Sequence, residues 1–316
     1  MKPNTDRAQS RATAADTAVV RCVVVDYNTP AMVRRFVSAI IAAGVPGNAV
    51  TVVQNYPAAL RRTRTSVPDS IRVVAGRPNY GYAAGVNAGL GQAEADWYLV
   101  ANSDVVIGRH ALATLLASGR DNPRCAVIGG RLVSDRGRPL PSVIKEHSAM
   151  DVLGSLWPPA LGLPAPIRPW LSAHREATAG PVAAVVGAAM LVRGQALRQV
   201  GPMDEKYVMF CEEVDWARRF RDGGWEVRYC PEAEIVHTGS VAVSREHDRH
   251  QVRLVASKLR YIKQHRGWLG YLAARAAVVV AAPALLLAAA LGQATAGDRS
   301  GRRHAALVGT ALRAPW

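Results

Sequence analysis

Three short polar clusters in this chain stand at the ends of apolar runs, where a fold can hold them against a ligand. The first is Asn102-Ser103-Asp104, which stops the apolar run 97–101. The second is Glu212-Glu213-Val214-Asp215, and the third is His237, followed by Thr238-Gly239-Ser240. A carboxylate at a strand end, with little bulk beside it, suits a hard divalent cation that also holds a diphosphate. A turn closed by Asn and Asp has the same composition. Acidic residues at a helix start also complement the helix dipole. Taken singly, each cluster therefore has a bland explanation, and chemistry requires that the fold bring them together.

The elements around them follow a strand-helix-strand grammar. A β-branched run, 19–25, ends at Asp26-Tyr27-Asn28-Thr29-Pro30. Thr29 is placed to cap a helix with Pro30 in its first turn, and Met32, Val33, Phe36, Val37, Ile40 and Ile41 recur at helical spacing. A second strand, 50–53, ends at Gln54-Asn55, and 71–74 reads as a third. In an open parallel sheet ligands sit at the carboxyl ends of strands, which is where Asp104 falls. Gly81, Gly85 and Gly89 recur every fourth residue across a loop that runs into a helix. That spacing admits close approach to a ligand or plain helix packing. It is not GxGxxG, so nicotinamide binding is disfavoured. Further on, a helix is expected at 109–116, a strand at 125–129 and one strand-like segment at 182–192. A helix over 217–221 opens at 210–216 and ends at Gly223-Gly224, before short strands at 225–229 and 234–236. Between 132 and 180 seven prolines break any long element. Such a stretch inside a domain is often functional, and it reads as an acceptor-side flap or as surface packing.

The chain has 316 residues, 49% hydrophobic, and a formal net charge of +15. It can bury a large core, and its charge points to an anionic membrane surface, a diphosphate substrate or nucleic acid. With three Phe and no aromatics interleaved with Lys and Arg, a stacking platform for single-stranded nucleic acid is poorly supported, and nucleic acid is not expected as a partner. Cys22, Cys125, Cys211 and Cys230 lack CxxC spacing, so neither a zinc site nor a disulfide framework is indicated.

In order and spacing, five motifs over roughly 19–244 resemble the family 2 glycosyltransferases of GT-A fold, especially the rhamnosyltransferase-like branch. They are Val23-Val-Val-Asp-Tyr-Asn28, Asn79-Tyr-Gly-Tyr-Ala-Ala-Gly-Val-Asn87, Asn102-Ser-Asp104, Val186-Gly-Ala-Ala-Met-Leu-Val-Arg193, and Glu212-Glu213 with His237 beyond it. The resemblance implies an α/β nucleotide-diphospho-sugar transferase fold, with a mostly parallel sheet flanked by helices. It implies an inverting, Mg²⁺- or Mn²⁺-dependent transfer from a nucleoside-diphosphate sugar to a glycan or polyprenyl-linked acceptor, in envelope or polysaccharide synthesis. Asp104 and His237 are the implied metal ligands, and Glu213 is the implied base, with Glu212 or Asp215 orienting it or binding acceptor hydroxyls. Tyr27, Asn28, Gln54, Asn55, Asn79, Gly81, Asn87, Asn102, Gly187 and Ala188 are the implied substrate contacts. Four features depart from the pattern: Gln54 where Asp is common, Asn102 at the first place of the DxD-type motif, Glu213 for Asp, and His237-Thr-Gly-Ser without the second Gly often seen there. The implied donor is dTDP-rhamnose first, then another pyrimidine-linked hexose. The alternative is a GT-A-like module that binds a membrane or polyanion with impaired catalysis.

Residues 1–17 are polar, lack a signal-peptide core and read as a disordered leader; 18–246 read as the catalytic domain. The tail, 247–316, is basic and then apolar over 276–291, with Arg275 and Pro283 interrupting the wider segment. A spanning helix needs about 20 apolar residues, so a buried helix, an interfacial anchor and a single span all compete. The basic flank and Trp268/Tyr271 favour membrane contact. Peripheral or monotopic attachment at the cytoplasmic face is the expectation.

Overall fold

The computed structural model describes residues 20–56, 67–76, 81–157, 174–175, 177–239 and 247–296. The expected leader and part of the proline-rich stretch lie outside these residues. In chain order the elements are β1 Val20–Asp26, α1 Pro30–Ala42, β2 Val50–Gln54, β3 Arg72–Ala75, α2 Gly81–Leu90, β4 Trp97–Asn102 and β5 Val105–Val106. Then come α3 Arg109–Asp121, β6 Cys125–Val133, β7 Val143–Ile144, α4 Ala149–Leu156, β8 His174–Arg175, β9 Gly180–Pro181, β10 Ala184–Val185 and β11 Ala189–Arg193. The chain continues through α5 Gly194–Val200, α6 Glu212–Asp222, β12 Glu226–His237 and α7 His247–Ala296.

The main sheet has the order β3-β2-β1-β4-β11-β6-β12-β5, with β9 also beside β12. Pairing is parallel from β3 to β4, antiparallel on both sides of β11, and parallel again between β6 and β12. β1 and β2 are buried at every position but Arg21, as strands covered on both faces must be. Helix α1 presents Val33, Phe36, Val37 and Ile40 to this core, at the expected spacing.

Two glycines explain how closely α2 lies on the sheet. A Cβ at Gly85 would sit 2.8 Å from Val25 Cγ1, and one at Gly89 would collide with Val23 Cγ1. The every-fourth-residue glycines are therefore a packing stripe at these two positions. Gly81 differs: its φ of +88° and its closeness to the Val208 carbonyl leave no room for a side chain.

Several local expectations change in the structure. Thr29 sits at the N-cap of α1, but its side chain makes no capping hydrogen bond. Its backbone N–H and hydroxyl instead donate to Asp26 Oδ1, at 2.7 and 3.3 Å. The two short strands expected at 225–229 and 234–236 are one strand, β12, which keeps its pairing with β6 across an irregularity between Cys230 and Glu234. The single segment expected at 182–192 is two strands, since β10 leaves the main sheet to pair with β7. The four cysteines are free and buried.

The chain packs as two compact units. Among the described residues, 20–144, 177–208 and 212–239 make the first unit, which holds the sheet. The second comprises 145–157, 174–175, 209–211 and 247–296. Part of the proline-rich stretch therefore packs with the tail, and not with the body to which the sequence reading assigned it. In the second unit α7 breaks at Gly267, with φ 69° and ψ −170°, and α4 packs on α7. Asp151 is the unit's buried anchor: it accepts from Ser148 N at 2.7 Å in a capping box and pairs with Lys145 Nζ at 3.0 Å. The nearly buried Lys258 donates to the Asp151 carbonyl at 3.2 Å and to Ser155 Oγ at 2.7 Å. An unpaired ammonium could not be held there at this cost.

Candidate active site

Strands β1, β2 and β4 run parallel and end together in polar residues: Asp26-Tyr27, Gln54-Asn55 and Asn102-Ser103-Asp104. β11 runs against β4, so the chain enters it from this same edge, through Gly187-Ala188. β6 and β12 run with β4, so β12 delivers His237 to the edge as well. Asp104 and His237, over a hundred positions apart in sequence, thus come to one edge by strand direction alone.

Asp104 and His237 meet directly, with Nε2 3.3 Å from Oδ2. The backbone N–H and the hydroxyl of Thr238 both donate to the Asp104 carbonyl at 3.0 Å, fixing the two loops together. His237 Nε2 is buried and has no hydrogen-bond partner beyond that carboxylate contact. An imidazole nitrogen and a carboxylate in this disposition fit a divalent cation. Among the described residues no third His, Cys, Asp or Glu completes a cluster with them. A cation there would take its remaining ligands from a diphosphate and water, the habit of Mg²⁺-like sites.

Helix α6 supplies the acids. The chain enters it through Phe210 and Cys211, at φ 69° and 67°, a left-handed turn that costs non-glycine residues energy and is found at functional sites. Burial pushes the Glu212 carboxyl well above the usual range, Glu213 adds to the rise, and Glu212 Oε2 has no hydrogen-bond partner. Burial pushes Glu213 up to about 7, against the backbone N–H groups of Glu213 and Val214, which favour its anion. Gly187 lies against it: a Cβ there would touch the Glu213 side chain, 3.4 Å from its Cβ. A half-buried carboxyl pushed up to about 7, beside a residue without a side chain, is suited to taking a proton. Asp215 belongs to the scaffold instead. It is fully buried and pairs with Arg219 Nε at 2.9 Å, so the role of orienting the base or binding acceptor hydroxyls gives way to that of an anchor within the helix.

Tyr82, which the sequence reading passed over, stands among these groups. Its hydroxyl donates to the Gly187 carbonyl at 3.1 Å. Burial pushes its phenol well above the ordinary range, and Glu212, Tyr27, Glu213 and Asp104 push it further the same way. One hydroxyl thus feels the charges of Glu212, Glu213 and Asp104 together. Asp26 was also missed; fully buried, it organises the Thr29 turn, and Thr29 Oγ1 lies 2.9 Å from Ser103 Oγ.

The remaining expected contacts divide. Tyr27 is half-buried and Asn28 exposed at φ 63°, both open to a ligand at the carboxyl edge. Gln54 is nearly buried at the end of β2. Asn55 is 1% exposed, and its amide donates to the Gly81 carbonyl at 2.6 Å and to the Tyr27 hydroxyl at 3.2 Å. It holds the loop and Tyr27 in place, with Gly81 as its acceptor. Asn102 N donates to the buried Ala188 at its carbonyl, 2.9 Å away, which locks the β4 end to the β11 entry. Asn87 is corrected: both ends of its amide bond Met203, at 2.9 and 3.0 Å, and Nδ2 reaches Glu205 Oε1 at 3.1 Å. It ties α2 to the 201–205 turn. Arg193 closes the far end of β11, donating to the Cys125 carbonyl at 2.7 Å and stacking 4.3 Å from the Trp97 ring centroid. Asn79 lies outside the described residues.

A family model described as glycosyltransferase like family 2 matches residues 17–269. Over 287 residues the chain is 28% identical to an N-acetylglucosaminyl-diphospho-decaprenol L-rhamnosyltransferase of Mycobacterium tuberculosis, covering 80% of this chain and 87% of that one. It is 24% identical over 191 residues to the low-salt glycan biosynthesis hexosyltransferase Agl10 of Haloferax volcanii, covering 59% and 58%. Among solved structures, the mannosyltransferase PcManGT of Pyrobaculum calidifontis, in complex with GDP-Man and Mn²⁺, aligns with a TM-score of 0.53 at 16% identity, covering 94% and 87%. GalNAc-T7 with UDP, GalNAc and Mn²⁺ aligns with a TM-score of 0.53 at 10% identity, covering 79% and 48%. At these identities the solved structures speak to the fold, which is GT-A.

Proposed function

The chain belongs to the glycosyltransferase-like family 2, and from that premise we propose an inverting, divalent-metal-dependent transfer of a deoxyhexose to a polyprenyl-diphosphate-linked glycan. As a family member it is a nucleotide-sugar glycosyltransferase of GT-A fold, and a module without catalysis is not favoured. The observation that carries the mechanism is the convergence of Asp104 and His237 with Glu213 at one edge of the sheet. The relative from Mycobacterium tuberculosis, named for L-rhamnose transfer to a decaprenol-linked acceptor, supports the donor and acceptor classes. dTDP-rhamnose is the first donor to test.

In this reading Tyr27, Asn28 and Gln54 receive the nucleoside end of the donor, and Asp104 with His237 would hold Mg²⁺ or Mn²⁺ against its diphosphate. The cation supplies charge stabilisation for the departing diphosphate. The acceptor hydroxyl sits near Gly187, gives its proton to a Glu213 oxygen, and its oxygen forms the new bond at the anomeric carbon. The bond from that carbon to the diphosphate breaks on the opposite face, so the anomeric configuration inverts and no covalent enzyme intermediate is needed. Glu212, kept protonated by burial beside Glu213, leaves the negative charge to its neighbour. The site works at the cytoplasmic face, where nucleotide sugars are made.

A thermal-shift panel of dTDP, UDP, GDP and CMP, each with and without Mn²⁺, tests the donor site. A ligand at 100 times its Kd stabilises the fold by about 2.7 kcal/mol. A metal-dependent shift with dTDP alone supports the donor assigned; a shift with GDP alone, or none at all, refutes it.

A further inference from the structure

Beyond the break at Gly267, α7 has two unlike faces. Tyr271, Ala274, Val278 and Ala281 are buried, the last three completely. The opposite stripe leaves Leu269 82%, Leu272 48%, Val279 58%, Val280 63% and Leu287 53% exposed. Ala273, Ala276 and Pro283 are also exposed and fall on the same stripe, so it carries no charge. At about 1.5 Å per residue the stripe is roughly 27 Å long. Large uninterrupted apolar surfaces of this kind mark a partner.

The start of the stripe identifies which partner. Trp268 is 60% exposed and lies 5.3 Å from Tyr271. Lys263 Nζ stands 5.7 Å from both rings, Arg266 is exposed beside the break, and the Arg275 guanidinium is 5.9 Å from Tyr271. An exposed Trp beside cations, at the end of an apolar face, matches the boundary between headgroups and acyl chains. Cations of one sign, on a chain of net charge +15, select an anionic leaflet.

We propose that the Trp268-to-Leu287 face of α7 lies in the plane of an anionic bilayer and inserts into one leaflet without crossing it. The helix is long and apolar enough, by length and composition, to cross a membrane. A lone spanning helix, however, offers lipid all its sides, and here one side is packed in protein and Arg275 interrupts the run. This attachment rests on the proposed lipid-linked acceptor for its purpose, but its physical basis does not involve the sugar chemistry.

The test is co-sedimentation of the full chain with vesicles of phosphatidylcholine alone or mixed with phosphatidylglycerol. The expected result is binding to the mixed vesicles, at least tenfold weaker for Leu269→Asp/Val280→Asp, and membranes stripped of the chain by alkaline carbonate. Both side chains are exposed, so the variant should melt with the wild type and keep its metal-dependent nucleotide shift. Loss of that shift in both proteins would indict the transferase reading and leave the attachment standing. No binding to mixed vesicles, resistance to carbonate, or a dimer abolished by the double substitution would each overturn the inference.

Discussion

Glu213→Gln separates activity from stability in a way that only a buried, catalytically used carboxylate allows. The substitution keeps the shape and removes the charge. If Glu213 takes the acceptor proton, turnover should fall by about 10²–10⁴-fold, with donor binding retained. Stability should move in the opposite direction. The Glu213 carboxyl is raised from 4.5 to about 7 by burial, so the folded protein holds a proton that the unfolded chain has released. A raised carboxylate contributes stability fully below the unfolded value, and that contribution is lost as pH rises to the folded value. Each pKa unit corresponds to about 1.4 kcal/mol, so wild type forfeits about 3 kcal/mol between pH 4.5 and pH 8. Gln cannot titrate and forfeits nothing. The variant should therefore gain on wild type by about 3 kcal/mol across that range, or about 6–12 °C in melting temperature. Melting curves at several pH values, beside single-turnover rates and the pH–rate profile, would measure all three quantities. Wild-type turnover should rise with pH through about 7. A variant with near-normal turnover, or a melting difference that does not change with pH, would refute the assignment of Glu213 as the buried base.

Other positions yield narrower expectations. Asp104→Asn should abolish the Mn²⁺-dependent part of the nucleotide thermal shift; an unchanged shift would remove Asp104 from the metal site. Asn87→Ala breaks the amide pairing with Met203 and Glu205 and should cost about 1–3 kcal/mol by chemical denaturation. Its KM for donor should stay near wild type, which separates a brace from a substrate contact. Gly89→Ala forces a methyl into Val23 and should cost about 1–3 kcal/mol; a neutral effect would mean that α2 is free to shift off the sheet.

Local pattern was enough to reveal a large part of this protein. The apolar runs that became β1, β2 and β4 end in polar residues at the positions read from sequence, because an apolar strand and its polar stop are properties of consecutive residues. Asp104, Glu213 and His237 stand out in the sequence for the same reason, as polar residues at element ends. Asn87 and Asp215 were misassigned because an amide or carboxylate looks the same in sequence whether it faces a ligand or a neighbouring loop. Only the folded chain pairs them with Met203 and Arg219. Likewise β12 appears as two strands in sequence, since its pairing with β6 supplies continuity that its own composition lacks. Tertiary structure alone decided the electrostatics. Nothing near Tyr82 in sequence predicts a phenol pushed up by Glu212, Glu213 and Asp104, and nothing near Glu213 predicts a carboxyl pushed up to about 7. Both depend on desolvation, which sums over neighbours from distant segments, whereas strand and helix signals depend on the few residues beside each position.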